Sequence, residues 1–265
     1  MPLNATITTI MKTIPMKKIM LSVVLAAASL LPTNATGIFD NLQYDLRAGY
    51  NVGGTSPMGM PASIRSLDAY RLTPSVMLGL GVYKPLTDHW GLSTGLRLEN
   101  KGMDIDATVK NYHMKIVRGG QELEGMFTGK NHSEVEQWML TLPLQATYRF
   151  NEKWQVKLGP YFSYVRTHSF KGAASDGYLR VGDPTGEKVE LGTADGDKGT
   201  YDFSDNMRRL QWGMMASADW RFHHSWGLFV DLSWGFTGIF SKNFDTIEQT
   251  MYPIYGTIGF SYKMK

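Results

Sequence analysis

The chain contains no cysteine. Zinc–thiolate sites, thiol nucleophiles, disulfide staples and anchoring through a lipidated cysteine are therefore excluded together. Proline is sparse, at 11 of 265 residues. Beyond the N-terminus no apolar run approaches the roughly 20 residues that a helix needs to cross a bilayer. Charge of one sign is scarce as well: 27 Lys and Arg against 24 Asp and Glu leave a formal charge of +3. No basic run follows the N-terminus, so nothing favours nucleic acid. The histidines, His89, His113, His132, His168, His223 and His224, form no spaced metal motif.

What is present points to strands. Aromatics reach 12%, with 7 Trp, 13 Tyr and 12 Phe, and glycine counts 28. With a mean hydropathy of −0.23, the composition fits an all-β chain with many turns. At the N-terminus, Lys17-Lys18 precede an apolar run from Ile19 to Leu31, then Pro32-Thr33-Asn34-Ala35. A basic stretch, a short apolar core and a small-residue site predict a secretory signal peptide over 1–35, cut after Ala35. The mature domain is expected over 36–265.

From residue 40 onward the pattern has period two. In 137–150 one parity reads Trp138, Leu140, Leu142, Leu144, Ala146, Tyr148, Phe150, and the other is polar or small. Residues 209–222 repeat this. Such runs begin near Leu42, Ser75, Trp90, Gln137, Trp154, Arg209, Trp226 and Pro253, so about eight strands are expected. Tight turns at Thr87-Asp88-His89, Asn151-Glu152-Lys153 and His223-His224-Ser225 alternate with longer polar connections near 53–74, 111–133, 171–206 and 242–252. Short and long connections in turn describe an up-and-down antiparallel transmembrane β-barrel.

The face assignment follows from volume. One parity is crowded with Gly49, Gly79, Gly81, Gly95, Thr141, Ser163, Gly213 and Ser217, among others. The bore of a small barrel is only just wide enough for side chains, so this parity belongs inside. The large apolar parity coats the outside, which sets the chain apart from a soluble calyx. Trp90, Trp154 and Trp226 each open a strand directly after a tight turn and are expected at a membrane interface. The inner parity carries Asp45, Arg47, Arg97, Glu99, Arg149, Asp219, Arg221 and Asp231, with Lys157, Arg209 and Lys263. Buried charges need partners, so a lumen charge network that plugs the bore is expected rather than an open pore.

Catalytic signals are thin. His132-Ser133 and His168-Ser169 are the pairs to check for a lipid-modifying site, but a nucleophile needs a base and an orienting group in space, not in sequence. Asp195-Gly196-Asp197 carries only part of a calcium loop. No catalytic residue, cofactor site or metal site is assigned.

Short motifs carry a family likeness. Leu92-Ser93-Thr94-Gly95-Leu96 followed by Lys101-Gly102, the strand Leu140-Thr141-Leu142-Pro143-Leu144 running to Tyr148 and Phe150, and Gly159-Pro160-Tyr161 resemble, in order and spacing, the PorT-like outer-membrane barrels of Bacteroides-type bacteria. The likeness covers about 40–265. Gln211-Trp212-Gly213 stands where that family often has Asp-Phe-Gly, and the chain ends without a terminal aromatic. The resemblance implies an outer-membrane location. The expectation is a non-enzymatic barrel, structural or partner-binding through four outward loops, with outer-membrane lipid around it and envelope or secretion proteins as candidate partners. A lipid-A-modifying enzyme and a narrow solute channel are the alternatives.

Overall fold

The computed structural model describes residues 40–264 apart from 60, 243, 245, 248 and 249. The expected signal peptide lies outside the described residues. The strands are β1 (Gln43–Pro57), β2 (Ile64–Arg71), β3 (Val76–Pro85), β4 (Trp90–Arg118), β5 (Gln121–Arg149), β6 (Trp154–Val181), β7 (Lys188–Leu191), β8 (Gly199–Asp202), β9 (Leu210–Arg221), β10 (Trp226–Gly235) and β11 (Met251–Lys263).

Eight of these close a ring. The order β1-β3-β4-β5-β6-β9-β10-β11 returns to β1 through antiparallel pairs from Asp45↔Lys263 to Pro57↔Met251. The fold is an all-β, eight-stranded up-and-down barrel. Closure leaves no unpaired edge, as a bilayer without water to satisfy backbone groups requires.

The alternation read from the sequence has a physical counterpart. In β9 every residue of one parity, from Gln211 to Asp219, is buried. Leu142, Leu158, Phe162, Val230, Leu232, Ile258 and Phe260 face outward and exposed. An apolar surface running around the whole ring far exceeds the patch a water-soluble monomer carries; it is the lipid face. Inside, glycine makes room for charge: a Cβ on Gly81 would come within 2.3 Å of the Asp45 carboxylate. The bore is not uniformly polar, however. Met77, Met139, Tyr161, Met215, Phe229 and Tyr255 also point into it and are almost fully buried.

The long connections depart from the sequence reading. The stretch 111–133 is not a polar loop. β4 and β5 are each 29 residues long and meet at Gly119-Gly120. Both glycines have positive φ, at 57° and 82°, which suits a two-residue hairpin turn. At about 3.3 Å per residue, such strands extend about 95 Å, far beyond the roughly 25 Å apolar band of an outer-membrane barrel. The region 53–74 likewise contains β2, paired to β4, and 171–206 contains the end of β6 with β7 and β8.

Bulges explain why this was hidden. An irregularity between Val109 and Tyr112, with Asn111 at φ 52°, switches the buried parity from Ala107 and Val109 to Met114 and Ile116. On β6 an extra residue near Arg166 switches it from Val165 to Phe170. A one-residue insertion moves every later side chain to the other face, so the period-two signal breaks although the strand continues.

Single-cysteine reporters test the faces, since the chain offers no competing thiol. A fluorophore at Leu142→Cys or Leu144→Cys is expected to be strongly quenched by nitroxide-labelled lipid. One at Thr141→Cys or Gln145→Cys is expected to be shielded. The reverse pattern would mean that the strand is turned inside out.

Candidate functional site

Three regions carry chemistry: the charged layer in the bore, the folded layer at the long-loop end and the mouth at the short-turn end.

In the bore, Arg47 of β1 reaches across to Asp219 of β9 at 2.7 Å and also holds Asp45 at 2.6 Å. Lys157 of β6 binds the same Asp219 oxygen at 2.6 Å. Arg97 of β4 bonds Asp231 of β10 at 2.6 Å. Asp231 faces Arg47 at 3.9 Å, joining the two halves. Glu99 lies 4.0 Å from Arg97 and 3.0 Å from Lys101. Four cations (Arg47, Arg97, Lys101, Lys157) thus meet four carboxylates (Asp45, Glu99, Asp219, Asp231), and the layer is neutral. Arg97, Glu99 and Asp231 are at most 4% exposed. Aromatic faces finish the cations: Phe229 lies under Arg47 at 4.8 Å, and Tyr161 and Tyr255 flank Lys101 at 5.6 and 5.4 Å. Hydroxyls complete it, with Thr141 donating to Glu99 at 3.1 Å.

Of the charges expected in the lumen network, Asp45, Arg47, Arg97, Glu99, Asp219 and Asp231 are brought together. Arg149 and Arg221 are not: both sit at the short-turn mouth and, among the described residues, make no ion pair with the layer. Arg209 is exposed above β9. Lys101 was missed, although it continues the inner parity of Arg97 and Glu99.

Trp90, Trp154 and Trp226 all lie at the short-turn end and are about half exposed. Trp90 meets Tyr148 edge-on at 5.0 Å, Trp154 stacks on Trp220 at 5.8 Å, and Trp226 meets Tyr262 at 5.0 Å. Trp212 and Trp234, eight residues along β9 and β10 from Trp220 and Trp226, form a second outward aromatic set with Phe236 at the other end.

At the long-loop end the inward faces of β4, β5 and β6 continue past the bore and enclose a separate apolar core. Met114, Ile116, Phe127, Phe170, Leu179 and Tyr201 belong to it. Phe170 packs edge-on against Phe240 at 5.0 Å, and Tyr201 stacks on Phe203 at 5.0 Å. β8 lies between β6 and β4, pairing with both. Burial pushes the Tyr201 phenol up to about 12, so it stays protonated and donates toward the His132 carbonyl at 2.9 Å or Asn131 Oδ1 at 3.1 Å. Beside it opens an apolar recess lined by Ile64, Ile105, Val109, Tyr112 and Met251.

The histidine–serine pairs are not assembled as nucleophile and base. His132 and Ser133 are successive strand residues and point to opposite faces. Ser133 is buried against Tyr201 at 2.8 Å, while His132 faces outward to Asp106 at 2.8 Å. Arg71 of β2 clamps the same carboxylate, and Asp104 at 2.9 Å. His168 and Ser169 are separated in the same way. Among the described residues no group of three or more His, Cys, Asp or Glu is placed to hold a metal ion.

Two outcomes follow. Asp231→Asn removes the one carboxylate hydrogen-bonded to Arg97 among the described residues and is expected to lower stability by about 3–5 kcal/mol, read by urea unfolding in lipid vesicles. Arg97→Met with Asp231→Leu together is expected to restore most of it. An unchanged Asp231→Asn protein would mean that water solvates Arg97 in an open bore. The second concerns β2. The Arg71 hydrogen bond holds the Asp106 carboxyl below the usual carboxylate range. A depressed carboxyl contributes above its unfolded pKa of about 3.9 and loses its effect as pH falls through the folded value. The protection of β2 amides, corrected for the intrinsic pH dependence of exchange, is therefore expected to fall on acidification below about pH 4, and Asp106→Asn to remove that dependence.

A family model agrees with this architecture. Over residues 33–241 the sequence matches the outer membrane protein beta-barrel domain family. No curated protein matches it. Among solved structures it is similar to Ail, the attachment invasion locus protein of Yersinia pestis, at 10% identity and TM-score 0.35, covering 84% of this chain and 97% of that one. It is also similar to OprG from Pseudomonas aeruginosa, at 12% identity and TM-score 0.34 over 84% and 95%. A third is the outer membrane protease OmpT from Escherichia coli, at 12% identity and TM-score 0.33 over 87% and 99%. Matched over most of its length and closed into a lipid-faced barrel, the chain belongs to the outer membrane protein beta-barrel domain family and resides in the bacterial outer membrane.

Proposed function

We propose that the protein is a non-enzymatic outer-membrane barrel that binds a partner through the folded layer at its long-loop end, which faces outside the cell. One observation carries this reading: three of the long connections contain strands, and these surround a buried apolar core. Association is costly when a surface must be ordered on binding, and this surface is already ordered. The bore layer is read as an ion-paired plug that ties opposite walls together, not as a solute path. Trp90, Trp154 and Trp226 are read as the girdle at the periplasmic interface, where amphipathic rings settle, and residues 1–35 as a cleaved signal peptide. The PorT-like resemblance supports a partner within an envelope or secretion assembly.

Intact cells test both orientation and binding. An epitope inserted after Gly196 is expected to be labelled from outside, and one after Glu152 only after permeabilisation. A photo-crosslinking residue at Val189 or Glu190 is expected to give a discrete, protease-sensitive adduct that the same residue at Leu142 does not give. Labelling at Glu152 alone would reverse the orientation. Adducts no different from those at Leu142 would remove the partner-binding role.

A further inference from the structure

Below the neutral layer, the bore opens at the short-turn end into a vestibule. Arg149 of β5, Arg221 of β9 and Lys263 of β11 line it. Each lies at the end of its strand on the lumen parity, so three different walls bring cations to one opening. The guanidinium of Arg149 lies over the Tyr83 ring at 4.6 Å and donates to Gln43 Oε1 at 3.5 Å; neither contact neutralises it. Three carboxylates also line the vestibule, and two are taken. Asp45 is held by Arg47, and Asp219 by both Arg47 and Lys157. The third, Glu152, is exposed in the turn after Phe150. Among the described residues, no carboxylate lies within ion-pair distance of Arg149, Arg221 or Lys263.

This contrasts with the layer above. There, four cations meet four carboxylates. Here the cations are partly withdrawn from water and face one another, which raises their mutual repulsion over that in bulk solvent. The ion-paired layer closes the inner end, so the vestibule is a blind recess with one entrance. Two guanidiniums offer paired N–H donors matched to oxyanions, and the lysine adds a mobile point charge.

We propose that this vestibule is a binding site for an oxyanion of the phosphate class, held by Arg149, Arg221 and Lys263. Its occupant is a soluble phosphate ester or the headgroup of a phospholipid at the same level. The site is independent of the long-loop surface and of its partner.

The test uses the full-length folded protein in maltoside micelles, where added inorganic phosphate is the sole oxyanion. Phosphorus NMR is expected to show saturable line broadening that sodium chloride at matched ionic strength does not displace. Arg221→Gln with Lys263→Gln, checked for folding by heat-dependent gel migration, is expected to weaken binding at least tenfold. Lys263→Gln alone serves as a milder second variant, expected to weaken it several-fold. Without phosphate, Arg221→Gln is expected to raise the thermal midpoint, because one of the mutually repelling charges is gone. In vesicles of phosphatidylglycerol, undiminished phosphate binding identifies a soluble ester, and its loss there identifies the headgroup; both support the site. Absence of saturable binding in micelles, equal binding by the double variant, or full displacement by chloride would overturn the proposal.

Discussion

A bilayer offers no water to a peptide group, and this constraint governs the rest of the molecule. Every backbone donor and acceptor within the membrane must find its partner in the chain, and a closed antiparallel ladder does so without leaving an edge. Closure by β1 on β11 makes the barrel narrow, and the narrowness dictates the lumen. Glycine, serine and threonine must line much of it so that a few long side chains fit. Gly81 opposite Asp45 shows the trade at one point: the absent side chain is the space that the carboxylate occupies.

The lumen charges follow from the same geometry. A charge inside the bore is removed from bulk solvent, and its cost is offset only by a well-placed partner. Arg97 and Asp231 stand on opposite walls and meet at 2.6 Å, so this pair ties the ring across its diameter. The balance of four against four holds only for the middle layer. At the short-turn mouth the cations outnumber their partners, and there the charge looks outward to a ligand instead of across to another strand.

At the other end, freedom from the lipid constraint lets the strands behave differently. Above the outer aromatic set, β4, β5 and β6 have no bilayer to face. They bend through bulges at Asn111 and Arg166 and turn their apolar side chains inward onto Phe170, Tyr201 and Phe240. One strand thus turns its large apolar side chains outward to lipid in its lower half and inward onto a protein core in its upper half. The surface built on that second core is ordered, which suits it to recognition.

The sequence by itself determined the eight-strand ring, the tight turns, and which parity faces lipid, because these depend on local spacing and on side-chain volume. It also placed Trp90, Trp154 and Trp226 at one level, since each follows a tight turn directly. Only the tertiary structure decided which charges meet. Arg97 and Asp231 are separated by 134 residues, and parity gives a side chain's face but not its height in the bore. Height depends on the stagger between strands, and for that reason Arg149 and Arg221, read together with the lumen charges, stand apart from them at the mouth. The upper strands were illegible for a related cause: each bulge resets the parity, so the pattern that reveals a strand is erased where the strand bends. The folded outer layer and the basic vestibule both come from long-range register, which no local run of residues encodes.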